Sequence, residues 1–286
     1  MTREFCSDAS LAAEEPLEGT AKHAERILLI RWPKGGWSRN LAVAGDMAPE
    51  LALVIEKLRE SGLRVNLIDR KGEAGDRSRL FLYPESLTRE VARADLPEVL
   101  AGLLAGERAG WSQAERPVIM VCTHGQKDRC CALHGYALYR ALREEGREVD
   151  LWESTHLGGC RLSAGALTLP AMHKYGRLKP ADAAALLEAE AEGRPWLPKW
   201  RGPCDLPPEA QAVAVSAARA GLRDPELENP RPGLWRATTP SGSIWLATTR
   251  HSVERPSTCS DLDLGCSEAA EVYRVREIAG PAEVTS

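Results

Sequence analysis

An order of short apolar strands and amphipathic helices that occurs twice constrains this chain more than any other feature. Arg26-Ile-Leu-Leu-Ile-Arg31 is an unbroken β-favouring run, the pattern of a strand buried on both faces. Residues 49–61 place Leu51, Val54, Ile55 and Leu58 at helical spacing, with Pro49 in the first turn and Gly62 as the stop. Val65-Asn-Leu-Ile-Asp69 and Leu80-Phe-Leu-Tyr83 read as strands, and residues 95–106 as a helix. The order then returns: a strand over 117–121, a helix over 132–145, strands over 149–153 and 166–169, and a helix over 180–192. Leu58-Arg-Glu-Ser-Gly62 matches Leu142-Arg-Glu-Glu-Gly146, and Val65-Asn-Leu matches Val149-Asp-Leu, both at an offset of 84 residues. This reads as a pseudo-duplication of one α/β layer; chance likeness between two generic βαββ stretches is the plainer alternative.

Alternating strands and helices predict an α/β fold with a mostly parallel sheet, whose strand ends gather on one edge where sites form. Structure is expected to begin near Ile27, after an acidic, polar arm over 1–26. Two α/β units follow, over 27–115 and 116–200, and a Pro-rich stretch from Trp196 to Pro208 marks a boundary. Residues 205–286 read as a small α+β region with a helix over 209–220 and strands over 234–239, 244–249 and 272–278. Pro240-Ser-Gly-Ser243 joins the first two of those strands as a hairpin, and no site is expected there.

With 286 residues, 43% hydrophobic and 27% charged, the chain has the composition of a globular protein. A net charge of −4 argues against nucleic acid or an anionic membrane as partner, since phosphate binding needs a dense basic face. No apolar run approaches the ~20 residues of a membrane span. Met1-Thr-Arg-Glu-Phe-Cys lacks the apolar core of a signal peptide, so a cytoplasmic, reducing setting is expected. In such a setting eight cysteines point to metal ligation or redox chemistry ahead of structural disulfides.

The second α/β unit concentrates the unusual side chains at strand ends. Val118-Ile-Met-Val121 runs into Cys122-Thr-His-Gly-Gln-Lys-Asp-Arg-Cys130-Cys131, and Val149-Asp-Leu-Trp-Glu153 runs into Ser154-Thr-His156-Leu-Gly-Gly-Cys160. A right-handed βαβ unit brings both loops to one edge, so Cys122, a cysteine of the Cys130/Cys131 pair, His156 and Cys160 are expected to converge. Thiolates with imidazole select zinc or an iron–sulfur group. Gly158-Gly159 keep the second loop from being helical and let backbone N–H groups approach sulfur closely. Three alternatives stand beside a cluster. Zinc is one, although its ligands usually come as tight C-x2–4-C knuckles and the first pair here spans seven or eight residues. Thiol–disulfide exchange at Cys130-Cys131 is the second. Simple burial of small apolar thiols is the third.

The run from Cys122 to Cys131, Trp152-Glu-Ser-Thr-His-Leu-Gly-Gly159, Leu169-Pro with Tyr175-Gly-Arg-Leu178, and the opening Cys6-Ser-Asp-Ala-Ser-Leu with Gly19-Thr-Ala21 together resemble the sucrase/ferredoxin-like family, over residues 6 to about 200. The resemblance implies a thioredoxin-like ferredoxin domain holding a [2Fe-2S] cluster; joined to the pattern above, the expected fold is two thioredoxin-like βαββα units in tandem plus a small C-terminal α+β appendage, the second unit, over 116–200, being the ferredoxin domain. Eukaryotic members of the family bind the cluster with two cysteines separated by eight residues and two histidines of an H-x-G-G-H loop. Carried over, the ligands fall on Cys122, Cys131, His156 and Cys160, with Cys130 as the rival of Cys131. Cys160 stands where that pattern has its second histidine. The implied ligation is Cys3His, at a lower potential than Cys2His2. The implied function is electron transfer with a redox partner protein, with a structural zinc protein or a thiol–disulfide oxidoreductase as alternatives. The sucrase half of the name is historical, because no carboxylate pair of the glycosidase kind stands out. Asp128 and Glu153 are the nearest candidates and read as loop-ordering groups.

Secondary candidates follow. His124 is expected to bond the cluster or cap its loop, and Lys127, Arg129, Arg161 and Arg177 to form a basic rim for an acidic partner. His134 and His173 read as packing residues. Cys204, Cys259 and Cys266 lie outside the loops, and a metal site of Cys6, Cys259 and Cys266 is a further possibility, against incidental burial.

Overall fold

The computed structural model describes residues 4–73 and 75–283. Helix α1 (Cys6–Ala12) precedes β1 (Ile27–Arg31), α2 (Pro49–Glu60), β2 (Arg64–Asp69), β3 (Arg77–Tyr83), β4 (Leu87–Ala92), α3 (Leu96–Leu104) and β5 (Ser112–Gln113). Next come β6 (Val118–Cys122), α4 (Tyr136–Glu144), β7 (Asp150–Ser154), β8 (Ala166–Leu169), β9 (His173–Tyr175), α5 (Ala183–Ala191) and β10 (Trp200–Pro203). These strands form one ten-stranded sheet in the order β10-β9-β8-β6-β7-β2-β1-β3-β4-β5. Helix α6 (Pro208–Arg219), β11 (Glu226–Arg231), β12 (Leu234–Thr239), β13 (Gly242–Arg255), α7 (Cys259–Asp263) and β14 (Glu268–Ile278) complete the chain, with β11-β12-β13-β14 as a second sheet.

The α/β class holds, but the sheet is not mostly parallel. Among the described residues only β1–β2 and β6–β7 run parallel in it; the other seven pairings are antiparallel. Helices α2 and α4 make the crossovers of these two parallel pairs. The links β3–β4 and β8–β9 are three-residue turns, too short to return a strand in the same direction. Strands β2 and β7 meet antiparallel through Ile68–Ser154 and Asp69–Glu153, so the loop leaving β7 runs back along β2.

Two other expectations need correction. The arm is not structureless: α1 forms at Cys6, with Phe5 N donating to Asp8 Oδ2 at 3.1 Å, and buries Cys6, Ser7 and Ser10. Small polar residues carry no apolar periodicity, so tertiary packing supplies this helix's stability. The helix expected over 132–145 opens as a π-turn segment, Cys131–Gly135, before α4 begins. Gly135 permits it: a Cβ there would meet the Cys122 carbonyl oxygen at 1.9 Å.

Strands β1 and β6 are buried along their whole length, as their unbroken apolar runs require. On one face Leu28 and Ile30 pack with α2 and α3, and Ile119 and Val121 pack with α4 and α5. The other face joins Ile27, Leu29, Phe81, Val118, Met120 and Trp152 into one core that also holds Cys6, Cys122, Cys130, Cys131, Cys160, Cys204 and Cys259. Among the described residues no helix is long and apolar enough to cross a membrane.

Candidate metal centre

Cys122 ends β6, Cys131 opens the π-turn, and His156 and Cys160 sit in the loop after β7. The ligand atoms of Cys122, Cys131 and His156 lie within 4.8 Å of one another. Cys160 Sγ stands 3.3 Å from His156 Nδ1. All three thiols are buried and His156 is half-buried. The structure therefore brings together the four donors singled out in the sequence. Cys130, the rival of Cys131, points elsewhere: its Sγ lies 3.5 Å from Cys6 Sγ and 3.0 Å from Cys259 Sγ.

The four donors compete for protons. The Cys131 thiol, outweighing burial, holds Cys122 well below the ordinary thiol value of 9.0, and the same contact pushes Cys131 well above it. Cys160 is lowered chiefly by Cys131, with His156 helping. Burial works against a charge on His156, yet the Cys122 and Cys160 sulfurs outweigh it and raise the imidazole to about 9. Buried thiolates held in this way are the form that binds metal.

The second loop is fastened by three cations. Arg64 Nη2 donates to the His156 carbonyl at 3.2 Å, Lys174 Nζ to the Leu157 carbonyl, and Arg201 Nη1 to the Gly158 carbonyl at 3.0 Å. Asn66 Nδ2 adds a second bond to the His156 carbonyl at 3.2 Å, and Thr155 Oγ1 accepts from Leu67 N at 3.0 Å. Among the described residues none of the three cations has a direct carboxylate partner within ion-pair distance. Burial lowers all three: Arg201 to about 9, still positive at neutral pH, and Lys174 well below its ordinary range, with the Cys204 and Cys122 sulfurs pulling Lys174 back up. Unpaired buried cations are costly, so within this cradle Arg64 and Arg201 favour a buried anion opposite, and such an anion would keep Lys174 charged as well. Sequence reasoning missed these residues. Their one signal is a basic residue set directly beside an aromatic one, as in Lys174-Tyr175 and Trp200-Arg201, and Arg64 at a strand start gives none.

Gly158 and Gly159 adopt φ of +95° and +80°, where side chains are strained, and a Cβ on Gly159 would meet Arg201 Nη2 at 2.9 Å. The first loop is braced from the other half of the sheet. Lys34 Nζ donates to Thr123 Oγ1 at 2.9 Å and pairs with Glu153, while Lys34 N donates to Asp69 Oδ2 at 2.8 Å. Asp128 accepts from Cys130 N at 3.1 Å and from Cys259 N at 3.0 Å. His124 is buried edge-on against Trp37, and burial lowers its pKa. His134 meets the Phe5 ring, and His173 pairs with Glu190 at 3.0 Å.

Of the four residues expected to form a basic rim, three are engaged in contacts within the chain. Arg129 pairs with Asp263, Arg161 with Glu15 at 2.6 Å, and Arg177 donates to Ser10 Oγ and the Glu15 carbonyl. These guanidiniums hold α1, the stretch after it and the C-terminal region against the loops. Cys204 is buried near Lys174 and Arg64, and Cys266 is exposed, apart from the other thiols. A cavity of about 860 Å³ lined by His173, Trp200, Leu206 and Leu227 involves none of the cysteines.

The sucrase/ferredoxin-like family model matches residues 17–202. Comparison with curated proteins finds no match. Among solved structures, the chain is similar to the thioredoxin-like [2Fe-2S] ferredoxin from Aquifex aeolicus at 18% identity, covering 30% of this chain and 97% of that one with a TM-score of 0.27. A cysteine-to-serine variant of that ferredoxin gives 17% identity, 29% and 96% coverage, and a TM-score of 0.27.

Proposed function

Because the chain belongs to the sucrase/ferredoxin-like family, we propose that it is an electron-transfer protein holding a [2Fe-2S] cluster through Cys122, Cys131, His156 and Cys160. The observation that carries this reading is the convergence of three buried thiols and one imidazole opposite Arg64, Lys174 and Arg201. Such a cluster with three thiolates is a net anion in either oxidation state and supplies one-electron exchange when bound. The residues fit it: Cys122 and Cys160 are already biased toward thiolate, and Arg64, Lys174 and Arg201 hold three consecutive carbonyls of the ligand-bearing loop by hydrogen bonds.

In this reading β1-α2-β2-β3 and β6-α4-β7-β8 are copies of one thioredoxin-like unit, joined edge to edge through β2 and β7. Only the second copy carries donors: β6 ends in Cys122 where β1 ends in Arg31. The first copy braces the site through Lys34, Arg64 and Asn66. Electrons would be exchanged with a separate redox protein.

Anaerobic purification followed by visible spectroscopy and iron and sulfide determination tests the proposal. About two irons and two sulfides per chain, lost on Cys122→Ser or Cys131→Ser, are expected. A colourless protein with zinc on these four residues, or a metal-free protein with dithiol reductase activity, would replace it.

A further inference from the structure

We infer a second metal site in this protein, formed by Cys6, Cys130, Cys259 and Asp128 and taking one zinc ion. Three thiols reach it from parts of the chain 124, 129 and 253 residues apart. Their sulfurs make a triangle: Cys6 to Cys130 is 3.5 Å, Cys130 to Cys259 is 3.0 Å, and Cys6 to Cys259 is 3.6 Å. Asp128 Oδ2 lies 3.8 Å from Cys6 Sγ, and the four donor atoms all lie within 4.8 Å of one another. Every one of these residues is buried.

The triangle has the size of a mononuclear site. Around a tetrahedral ion with metal–sulfur bonds of about 2.3 Å, neighbouring sulfurs stand about 3.8 Å apart. A cluster of several irons distributes its thiolates over different metals and holds them farther apart. A disulfide needs sulfurs at about 2.05 Å and would leave the third thiol unpaired. The carboxylate is already oriented as a fourth ligand: Cys130 N donates to Oδ1 at 3.1 Å and Cys259 N to Oδ2 at 3.0 Å, the kind of support that positions metal-binding carboxylates. Three soft donors and one hard one select zinc among the divalent ions a reducing compartment supplies, above iron(II) in intrinsic affinity.

The ion is a staple. Cys6 opens α1, Cys259 opens α7, and Cys130 precedes Cys131 directly. Occupancy would tie the N-terminal arm and the C-terminal region to the loop that delivers Cys131. Zinc has no redox chemistry of its own, so the role is to fix structure beside the proposed electron-carrying site.

Zinc and iron are measured on the same anaerobically purified full-length protein, with X-ray absorption at the zinc edge. About one zinc per chain is expected, with three sulfurs at about 2.3 Å, one oxygen at about 2.0–2.2 Å and no imidazole outer shell. Cys6→Ser and Cys259→Ser should each lower zinc at least ten-fold while iron falls less than two-fold. If either variant fails to fold, the zinc environment of the unaltered protein decides. Absence of zinc after zinc-supplemented expression, iron in its place, an imidazole in its shell, or zinc retained in both variants would overturn the site. A colourless protein whose zinc has only sulfur and oxygen ligands would uphold this site and refute the cluster, so the two failures are separable.

Discussion

Replacing Glu15 by Gln removes one charge from a buried network that holds three parts of the chain together. The Glu15 side chain is fully buried and accepts from Arg161 Nε at 2.8 Å and Nη2 at 2.6 Å, from Ser10 Oγ at 2.8 Å and from Arg255 Nε at 3.4 Å. Arg161 has this one carboxylate partner among the described residues, whereas Arg255 also reaches the exposed Glu268 at 2.8 Å. Removing one partner from a buried ion pair leaves an uncompensated charge and costs about 3–5 kcal/mol. With a urea dependence of about 3 kcal/mol per M, the unfolding midpoint should fall by roughly 1–2 M at pH 7. Burial alone would raise the Glu15 pKa, but Arg161, Ser10 and Arg255 outweigh it and lower it from 4.5. The folded state therefore gives up this proton more easily than the unfolded one. The stabilisation is complete above about pH 4.5 and is lost as pH falls through the lowered folded value. Urea titrations followed by far-ultraviolet circular dichroism from pH 7 down to pH 3 should show the two midpoints far apart at neutrality and converging in acid. Coincident midpoints at pH 7, or a gap unchanged at pH 3, would refute the reasoning.

Three further outcomes follow from the site. Gly135→Ala places a Cβ 1.9 Å from the Cys122 carbonyl oxygen, so the π-turn must move off β6; overpacking of this kind costs about 1–3 kcal/mol or more, and the iron-to-protein ratio should fall several-fold. Gly159→Ala combines a φ of +80° with a 2.9 Å approach to Arg201 Nη2, at about 1–3 kcal/mol; hydrogen exchange of the 156–160 amides should accelerate, and unchanged protection would count against the loop's role. With the proposed cluster bound, Arg201→Gln removes a buried positive charge from beside Gly158, which would disfavour the more negative reduced state. Voltammetry should show the midpoint potential falling by some tens of millivolts, given an effective dielectric of about 20, and a rise or no change would oppose the cradle's role.

Much of the local architecture is legible in the residues. The unbroken apolar runs of β1 and β6 predict strands covered on both faces, and the spacing of Leu51, Ile55 and Leu58 predicts α2, because backbone periodicity leaves a one-dimensional trace. Strand direction does not: β8 is as apolar as a parallel strand, and its three-residue link to β9 is what requires that pair to run antiparallel. Polar helices such as α1 are equally silent, since their stability comes from what they touch.

At the site the division is sharper. The sequence by itself determined that two chemically loaded loops follow two parallel strands, and hence that Cys122, His156, Cys160 and one of an adjacent cysteine pair meet at one edge; chain connectivity and handedness are local enough to dictate this. Tertiary structure alone decided that Cys131 turns toward that edge while Cys130 turns toward Cys6 and Cys259, because the directions of neighbouring side chains depend on the π-turn between them and the strand end. It alone brought Arg64, Lys174 and Arg201 onto three consecutive carbonyls, and set Cys130 and Asp128, in place of Cys266, beside Cys6 and Cys259. Contacts of that range leave no periodic mark in a sequence, since they form only when separately folded segments pack.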